Sequence, residues 1–253
     1  MHFIRSIVWL IATSLLAMLA VCSMAQGRLP ATTPTGASQE THDILYAEDV
    51  EEIIRSDRTI PPPEQGVLFI GSSIFREWTD LEKQMDPLPA FNRAFGGSRT
   101  REVLHYMDRL VIPYKPAVIV YYCGSNDINA GETPEGIFNR FKQFCDRVKA
   151  ALPATRVFYV SIIKAPQKMT HWDDVDKANA EIRKLCQSRS ELGFIDVNKM
   201  FFKKLGQPRM EVYRADGLHL VPEAYAEFAS IIRPTVEKAY IGRKKIKPTP
   251  AGK

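Results

Sequence analysis

Three short stretches, far apart in the 253-residue chain, contain side chains that together could form one hydrolytic site. They read Gly71-Ser72-Ser73-Ile74, Gly124-Ser125-Asn126-Asp127 and Asp216-Gly217-Leu218-His219. A serine can act as a nucleophile, an asparagine amide can stabilise an oxyanion, and a histidine held by an aspartate can act as a base. The first two stretches directly follow apolar runs, and the third precedes a helical pattern. We therefore expect the folded chain to bring the three together.

The serines after the first apolar run fit two roles. Val67-Leu68-Phe69-Ile70 predicts a strand, and Gly71-Ser72-Ser73 predicts a tight turn into a helix. A serine at that turn would project its hydroxyl from the edge of the sheet, and its amide would face an incoming oxyanion. Glycine and serine are also common in structural turns and helix caps. The residue types alone leave that alternative open, and they leave Ser72 as a competing nucleophile.

Two other predicted strand ends carry candidate oxyanion donors. Asn126 follows the run Ala117 to Tyr122, where its side-chain amide could point at developing negative charge or simply close an Asx-turn. Phe95-Gly96-Gly97-Ser98 follows the second run and contains two glycines. Glycines permit close backbone approach and leave an amide free to donate, although they also serve plain turns.

Asp216-Gly217-Leu218-His219 is the most specific of these stretches. The short separation, eased by a glycine, lets the carboxylate hold one imidazole nitrogen and direct the other toward a nucleophile. The stretch His171-Trp172-Asp173-Asp174 has the same separation in the reverse order and follows the fourth predicted strand. His171 and Trp172 could therefore line a pocket, or they could lie in a solvated loop.

Apolar runs and helical patterns alternate along the body of the chain. The runs are Val67–Ile70, Phe91–Phe95, Ala117–Tyr122, Val157–Ile163 and Phe194–Val197, and the helical patterns lie near Thr100–Leu110, Pro134–Ala151, Val175–Ser190 and Pro222–Tyr240. This alternation predicts an α/β fold with a parallel sheet covered on both faces, whose functional residues gather at the carboxyl ends of the strands. Pro134 and Pro222 suit first-turn positions, and Pro234 should break or kink the last helix near Arg233.

The amino-terminal end has the pattern of an export signal. Met1 to Arg5 carry positive charge, Ile7 to Val21 form an unbroken apolar run, and Ser23-Met24-Ala25 offers small residues for a peptidase. We therefore predict a signal peptide over residues 1–25. An uncleaved anchor and lipid attachment at Cys22 are the alternatives.

The rest of the chain divides by composition into a spacer, one domain and a tail. Residues 26–43, rich in Pro, Thr, Ser and Gly, predict a flexible spacer, and residues 242–253 predict a basic disordered tail. Residues 44–241 hold enough apolar sequence for one domain with one sizeable core. The formal charge of +5 comes from the two ends, because without their six cationic side chains the body carries about −1. Neither this charge nor any motif indicates a nucleic-acid partner.

Three cysteines remain after the predicted cleavage. Cys123, Cys145 and Cys186 are odd in number, so they imply no disulfide framework, and their strand and helix patterns favour small buried side chains. None has the paired spacing of a zinc site. We expect no metal ion or other cofactor.

Taken together, the ends of the first three predicted strands and the Asp/His pair resemble the SGNH hydrolases, also called the GDSL-like esterase and lipase family. The resemblance covers about Val67 to Ala239 and includes all four signature blocks of that family in order. The stretch FNRAFGGSRTREVL, Phe91 to Leu104, is similar to the branch with platelet-activating-factor acetylhydrolase-like and bacterial acyl-esterase members. The family's Gly-Asp-Ser-Leu reads Gly71-Ser72-Ser73-Ile74 here. The missing acid is not a catalytic group, so the departure bears on substrate preference and turn hydrogen bonding more than on activity.

The resemblance implies a fold and a set of site residues. The fold would be a three-layer α/β/α sandwich of the flavodoxin-like type, with a five-stranded parallel sheet in the order 2-1-3-4-5. Ser73 would be the nucleophile, His219 the base and Asp216 the carboxylate that orients it. The oxyanion donors would be the Ser73 amide, Gly97 and Asn126.

The resemblance also implies metal-independent ester hydrolysis through an acyl-enzyme. Together with the export signal, it predicts a periplasmic or extracellular esterase that removes short acyl groups, acetyl above all, from a small or polymer-linked carbohydrate ester. No membrane segment is expected in the mature chain. The alternatives are a lysophospholipase or thioesterase acting on lipid acyl groups and a non-catalytic surface-binding domain. A non-catalytic binding domain would have no need for the complete set of four signature blocks.

Overall fold

A parallel sheet forms the centre of the fold in the computed structural model, which describes residues 45–244. Its strands are β1 (Val67–Gly71), β2 (Ala90–Asn92), β3 (Val118–Tyr122), β4 (Arg156–Val160) and β5 (Leu192–Ile195). They lie in the order β2-β1-β3-β4-β5, which confirms the predicted class and strand order. The predicted signal peptide and spacer lie outside the described residues. The predicted tail, residues 242–253, also lies outside them except for residues 242–244, which belong to the last helix of the chain and are not a tail.

The two central strands are apolar on both faces. Every residue of β1 and β3 is buried, as expected for strands covered from both sides. Their register pairs Val67 with Val118 and Gly71 with Tyr122. Both strands therefore end at the same level, so the serine and asparagine stretches that follow them start next to each other.

Helices cover both faces of this sheet. They are α1 (Ala47–Ser56), α2 (Ser73–Arg76), α3 (Leu81–Met85), α4 (Thr100–His105), α5 (Met107–Leu110), α6 (Ser125–Asn129), α7 (Pro134–Ala151), α8 (Trp172–Ser188) and α9 (Ala224–Lys244), with short 3₁₀ segments at Ile112–Tyr114, Pro166–His171, Asn198–Phe201 and Met210–Val212. Side chains of α2, α3 and α9 form one core with Val67 and Phe69. Those of α1, α4, α5, α7 and α8 form the other with Leu68 and Ile70. The result is the predicted three-layer α/β/α arrangement.

Several predicted element boundaries are wrong. The single helix predicted over Thr100–Leu110 is two helices, because Tyr106 leaves helical geometry with φ −85° and ψ 4°. A break of one residue does not disturb the apolar periodicity, so the pattern cannot report it. α8 begins at Trp172, three residues earlier than predicted, and β2 already ends at Asn92. The bounds of α7 agree with the prediction.

Of the break or kink predicted near Arg233 because of Pro234, the break is wrong. α9 continues through Pro234, and it starts at Ala224, so Pro222 precedes its first turn. Proline removes one backbone hydrogen bond from a helix interior. Ile232 and Val236, on either side of it, are fully buried in the core. We attribute the unbroken helix to this packing, which offsets the missing bond.

Helix α1 was not predicted, and it is firmly attached to the sheet. Val50 is fully buried, and Asp57, directly after the helix, forms an ion pair with the largely buried Arg93. The Arg93 guanidinium lies between the rings of Phe91 and Tyr114, at 5.2 and 5.1 Å from their centroids. The helix therefore belongs to the folded unit.

Cys123, Cys145 and Cys186 are buried, as expected, and all three are free in the structure. Burial raises the pKa of the Cys123 thiol well above its ordinary value, because a thiolate there would lose its hydration. Nowhere in residues 45–244 is a helix both long and apolar enough to span a membrane.

Candidate active site

Ser73 lies at the edge of the sheet, just after the end of β1. The chain passes directly from Gly71 through Ser72 into α2, whose first residue is Ser73. Gly71 has φ +144°, and a Cβ there would lie 1.8 Å from the carbonyl oxygen of Tyr122. Only glycine allows this close approach of β1 to β3. The turn is fixed further by the Ser72 amide, which donates to the same carbonyl at 3.0 Å.

Ser73, His219 and Asp216 form a continuous chain of polar contacts. The Oγ of Ser73 lies 3.0 Å from Nε2 of His219. The Nδ1 of His219 lies 2.7 Å from Oδ2 of Asp216. Ser72 is 1% exposed, so its hydroxyl is closed off from a substrate in solution. The structure thus brings the predicted nucleophile, base and orienting carboxylate together, although their roles stay predictions.

The aspartate that contacts the imidazole is fixed by its own loop. Its Oδ1 accepts the amides of Leu218 at 2.8 Å and His219 at 2.9 Å, which leaves Oδ2 for the ring. Burial by itself opposes ionisation, but hydrogen bonds from the His219 ring and the two amides outweigh it and lower the pKa of Asp216 to about 2. The carboxylate therefore stays charged at neutral pH and can stabilise a protonated imidazole.

A second carboxylate lies near the same imidazole and was not predicted. Oε1 of Glu77 is 3.7 Å from Nε2 of His219, and Oε2 of Glu77 is 2.8 Å from Nη1 of Arg214. Arg214 belongs to the His219 loop, since its amide donates to the His219 carbonyl at 2.7 Å. The Glu77–Arg214 ion pair therefore connects the nucleophile helix to the base loop. The signal was present in the sequence, because Glu77 stands four residues after Ser73, on the same helical face.

The candidate oxyanion donors lie in the segments that follow β1, β2 and β3. The Ser73 amide is in the first turn of α2, where no helical carbonyl can accept it. Gly97 lies in a turn with φ +74°. The Asn126 amide donates to the Ser98 carbonyl at 3.0 Å. This bond spans two strand-end loops and uses one of the two protons of the amide. The role of Asn126 as an oxyanion donor stays a prediction.

Asp127, the last residue of the asparagine stretch, binds Thr100 at the start of α4. Its carboxylate accepts the Thr100 amide at 3.1 and 3.0 Å and also the Thr100 hydroxyl, which joins α6 to the start of α4. Burial raises the pKa of Asp127, although the Thr100 bonds and Arg140 oppose this shift. It holds the loop that carries Asn126.

The rival histidine does not form a comparable pair. His171 is exposed at the end of the 3₁₀ segment Pro166–His171. Within the described part of the chain, no hydrogen bond or ion pair is found between His171 and Asp173 or Asp174, whereas His219 has both of its expected contacts. No group of three His, Cys, Asp or Glu side chains in residues 45–244 could hold a metal ion.

Comparisons with known proteins identify a family and several similar folds. A profile of the GDSL-like Lipase/Acylhydrolase family matches residues 70–227. The fold is similar to that of a GDSL-like lipase from Bacteroides thetaiotaomicron, with a TM-score of 0.65 and 19% identity over 76% of this chain and 98% of that one.

Two carbohydrate-related esterases also have similar folds. One is a carbohydrate esterase family 3 protein from Talaromyces cellulolyticus, with a TM-score of 0.55 and 17% identity over 72% of this chain and 99% of that one. The other is an acetyl xylan esterase, with a TM-score of 0.56 and 18% identity over 67% and 98%. No curated protein sequence matches the chain.

Proposed function

The chain belongs to the GDSL-like lipase/acylhydrolase family and is a carboxylic ester hydrolase, and on that premise we propose an exported serine esterase that removes short acyl groups, acetyl above all, from carbohydrates. The observation that carries this proposal is the Ser73–His219–Asp216 chain of contacts at 3.0 and 2.7 Å. It has the geometry that activates a serine hydroxyl.

The proposed reaction passes through an acyl-enzyme. His219 Nε2 takes the proton of the Ser73 hydroxyl as its oxygen attacks the ester carbonyl carbon. The carbonyl oxygen gains negative charge, and the amides of Ser73 and Gly97 with the Asn126 side chain donate to it. His219 passes the proton to the leaving alcohol, the ester C–O bond breaks, and the acyl group stays on Ser73. A water molecule deprotonated by His219 then attacks the acyl carbon, the bond between this carbon and Ser73 Oγ breaks, and His219 returns the proton to Ser73 Oγ as the acid leaves. Asp216 holds the ring tautomer throughout.

The side chains near Ser73 favour a polar alcohol. Glu77 lies near the imidazole and forms an ion pair with Arg214. Arg76 packs against Gly96, where a Cβ would lie 3.3 Å from its Cδ. Charged groups of this kind can hydrogen-bond a hydroxyl-rich sugar, whereas they desolvate unfavourably against an alkyl chain. The two carbohydrate-related esterases with similar folds support the same substrate class.

Acyl-chain preference tests the proposed substrate class. We expect kcat/KM for p-nitrophenyl esters to be highest with acetate and at least about tenfold lower with octanoate, because the polar surroundings of Ser73 do not favour added methylenes. Acetate release from acetylated xylan should also exceed fatty-acid release from lysophosphatidylcholine.

The opposite ranking would favour the lysophospholipase alternative, and faster cleavage of acyl thioesters would favour the thioesterase. Labelling with a serine-directed fluorophosphonate distinguishes all of these serine enzymes from a non-catalytic binding domain. An esterase should be labelled at Ser73, whereas a protein that takes up no label and turns over no ester would be a non-catalytic module.

We propose export from the charged start, the apolar run and the small residues at Ser23-Met24-Ala25. The chain recovered from the medium or periplasm of a bacterial host should begin at Gln26, as read by amino-terminal sequencing. A lipid-modified Cys22 at the start would instead establish the lipoprotein alternative, and an intact Met1 in the membrane fraction would establish an uncleaved anchor.

A further inference from the structure

The Gly96-Gly97 turn is held at both ends by contacts with one carbonyl of the sheet, that of Gly71. The Phe95 amide donates to the Gly71 carbonyl at 3.0 Å, and the Ser98 hydroxyl lies 3.0 Å from the same carbonyl. Between these anchors stand two glycines, the residue type with the greatest backbone freedom. The orientation of the Gly97 amide therefore depends on what fixes the glycines themselves.

The residue that contacts these glycines is Tyr46, which lies outside the segment that matches the family profile. The Tyr46 hydroxyl donates to the Gly97 carbonyl at 3.0 Å, across 51 positions of sequence. A Cβ on Gly97 would lie 3.1 Å from the same hydroxyl oxygen, so the tyrosine occupies the space where a side chain would project. It thus holds Gly97 by a hydrogen bond and by direct packing.

Tyr46 is itself fixed by its neighbours. Its ring packs on the fully buried Phe95 at 5.3 Å between centroids, and its carbonyl accepts the Val50 amide at 3.0 Å as α1 begins. Burial, and then the negative charge of Glu102 and Asp49, raise the pKa of Tyr46, so its hydroxyl stays protonated and remains a donor.

We propose that Tyr46 is a positioning residue for the oxyanion hole, holding the Gly96-Gly97 turn so that the Gly97 amide points at the substrate oxygen. The proposal rests on the proposed function, since it assigns Gly97 as a donor. A donor that is already oriented loses no free energy to reorganisation when the carbonyl becomes an alkoxide. The benefit therefore appears in the transition state and not in ground-state binding.

The variant Tyr46→Phe removes only the hydroxyl and tests this role. We expect kcat for p-nitrophenyl acetate to fall about three- to tenfold, the effect of one hydrogen bond, with KM nearly unchanged. The inhibition constant of a trifluoromethyl ketone, which forms a tetrahedral oxyanion on the serine, should rise by the same factor. Hydrogen exchange at the Gly97 amide, measured by NMR, should become faster.

Two variants serve as references. Tyr114→Phe removes the hydroxyl that donates to Asp57 at the other end of α1, and it should lower the melting temperature without changing kcat. Asn126→Ala removes another proposed donor, and it should show the Tyr46→Phe pattern with a larger loss of kcat.

Wild-type kcat and wild-type inhibitor affinity in Tyr46→Phe would overturn the proposal. A raised KM at unchanged kcat would also overturn it, because it would make Tyr46 a substrate contact. The exchange measurement needs no activity: unchanged exchange at Gly97 contradicts the positioning role even if the wild-type protein hydrolyses no ester. Absence of ester hydrolysis by the wild-type protein would count separately against the proposed function.

Discussion

Replacing Ser73 with alanine is expected to lower the turnover of p-nitrophenyl acetate by at least about 1,000-fold, which corresponds to about 4 kcal/mol in the activation free energy. The reason is chemical, because alanine has no oxygen to attack the carbonyl and no acyl-enzyme can form. The Ser73 side chain is partly exposed and starts a short helix, so the fold should tolerate the change. Circular dichroism and the melting temperature would check this.

Ser72→Ala is the matched control for this variant. It removes the same hydroxyl one residue earlier, at a buried position whose amide is held by the Tyr122 carbonyl. We expect it to keep most of the activity. The reverse outcome, an active Ser73→Ala and an inactive Ser72→Ala, would show that the assigned nucleophile is wrong and that the oxyanion donors must be reassigned.

The second large effect is expected at His219. His219→Ala should lower kcat about as severely as Ser73→Ala, because the two groups act as one unit in the same proton transfer. Oδ2 of Asp216 would lose its contact with the ring, while Oδ1 would keep the Leu218 and His219 amides. The loop should therefore keep its shape, and kcat with KM should be measured beside thermal unfolding.

His171→Ala provides the comparison, since this histidine also lies three residues from an aspartate. It is exposed and stands outside the Ser73–His219–Asp216 contacts. We expect it to alter KM or to have no effect. A loss of kcat larger at His171 than at His219 would mean that the base has been assigned to the wrong residue.

Patterns local in the chain were sufficient to predict an α/β fold with a covered parallel sheet, whereas the strand order was predicted from the family resemblance. Continuous apolar runs such as Ala117 to Tyr122 are typical of strands buried on both faces, and their alternation with helical periodicity predicted a parallel sheet. α7 matches its predicted bounds from Pro134 to Ala151, because proline in the first turn and a steady apolar face give clear signals. Since parallel strands end at one edge, the same patterns predicted which loops would meet.

The exact neighbours within those loops could not be predicted, because they depend on how side chains from distant segments pack. Gly71-Ser72-Ser73 offers two serines, and the residue types alone did not separate them. The family resemblance selected Ser73, and the folded turn buries the Ser72 side chain and directs Ser73 to His219, 146 positions away. Tyr46 meets Gly97 because α1, a helix with no recognised signal, packs on the sheet through Val50 and is held by an ion pair at its end.

Residue types and their order therefore determined the fold class, the loops that form the site and the chemistry they can perform. Tertiary structure brought the predicted serine to the base, placed Glu77 near the imidazole in an ion pair with Arg214, and set Tyr46 over the Gly97 turn. The physical reason is the difference in sequence range between the two kinds of interaction. Helix and strand signals act over a few neighbouring residues, whereas hydrogen bonds between distant loops form only after the core has fixed the elements that carry them.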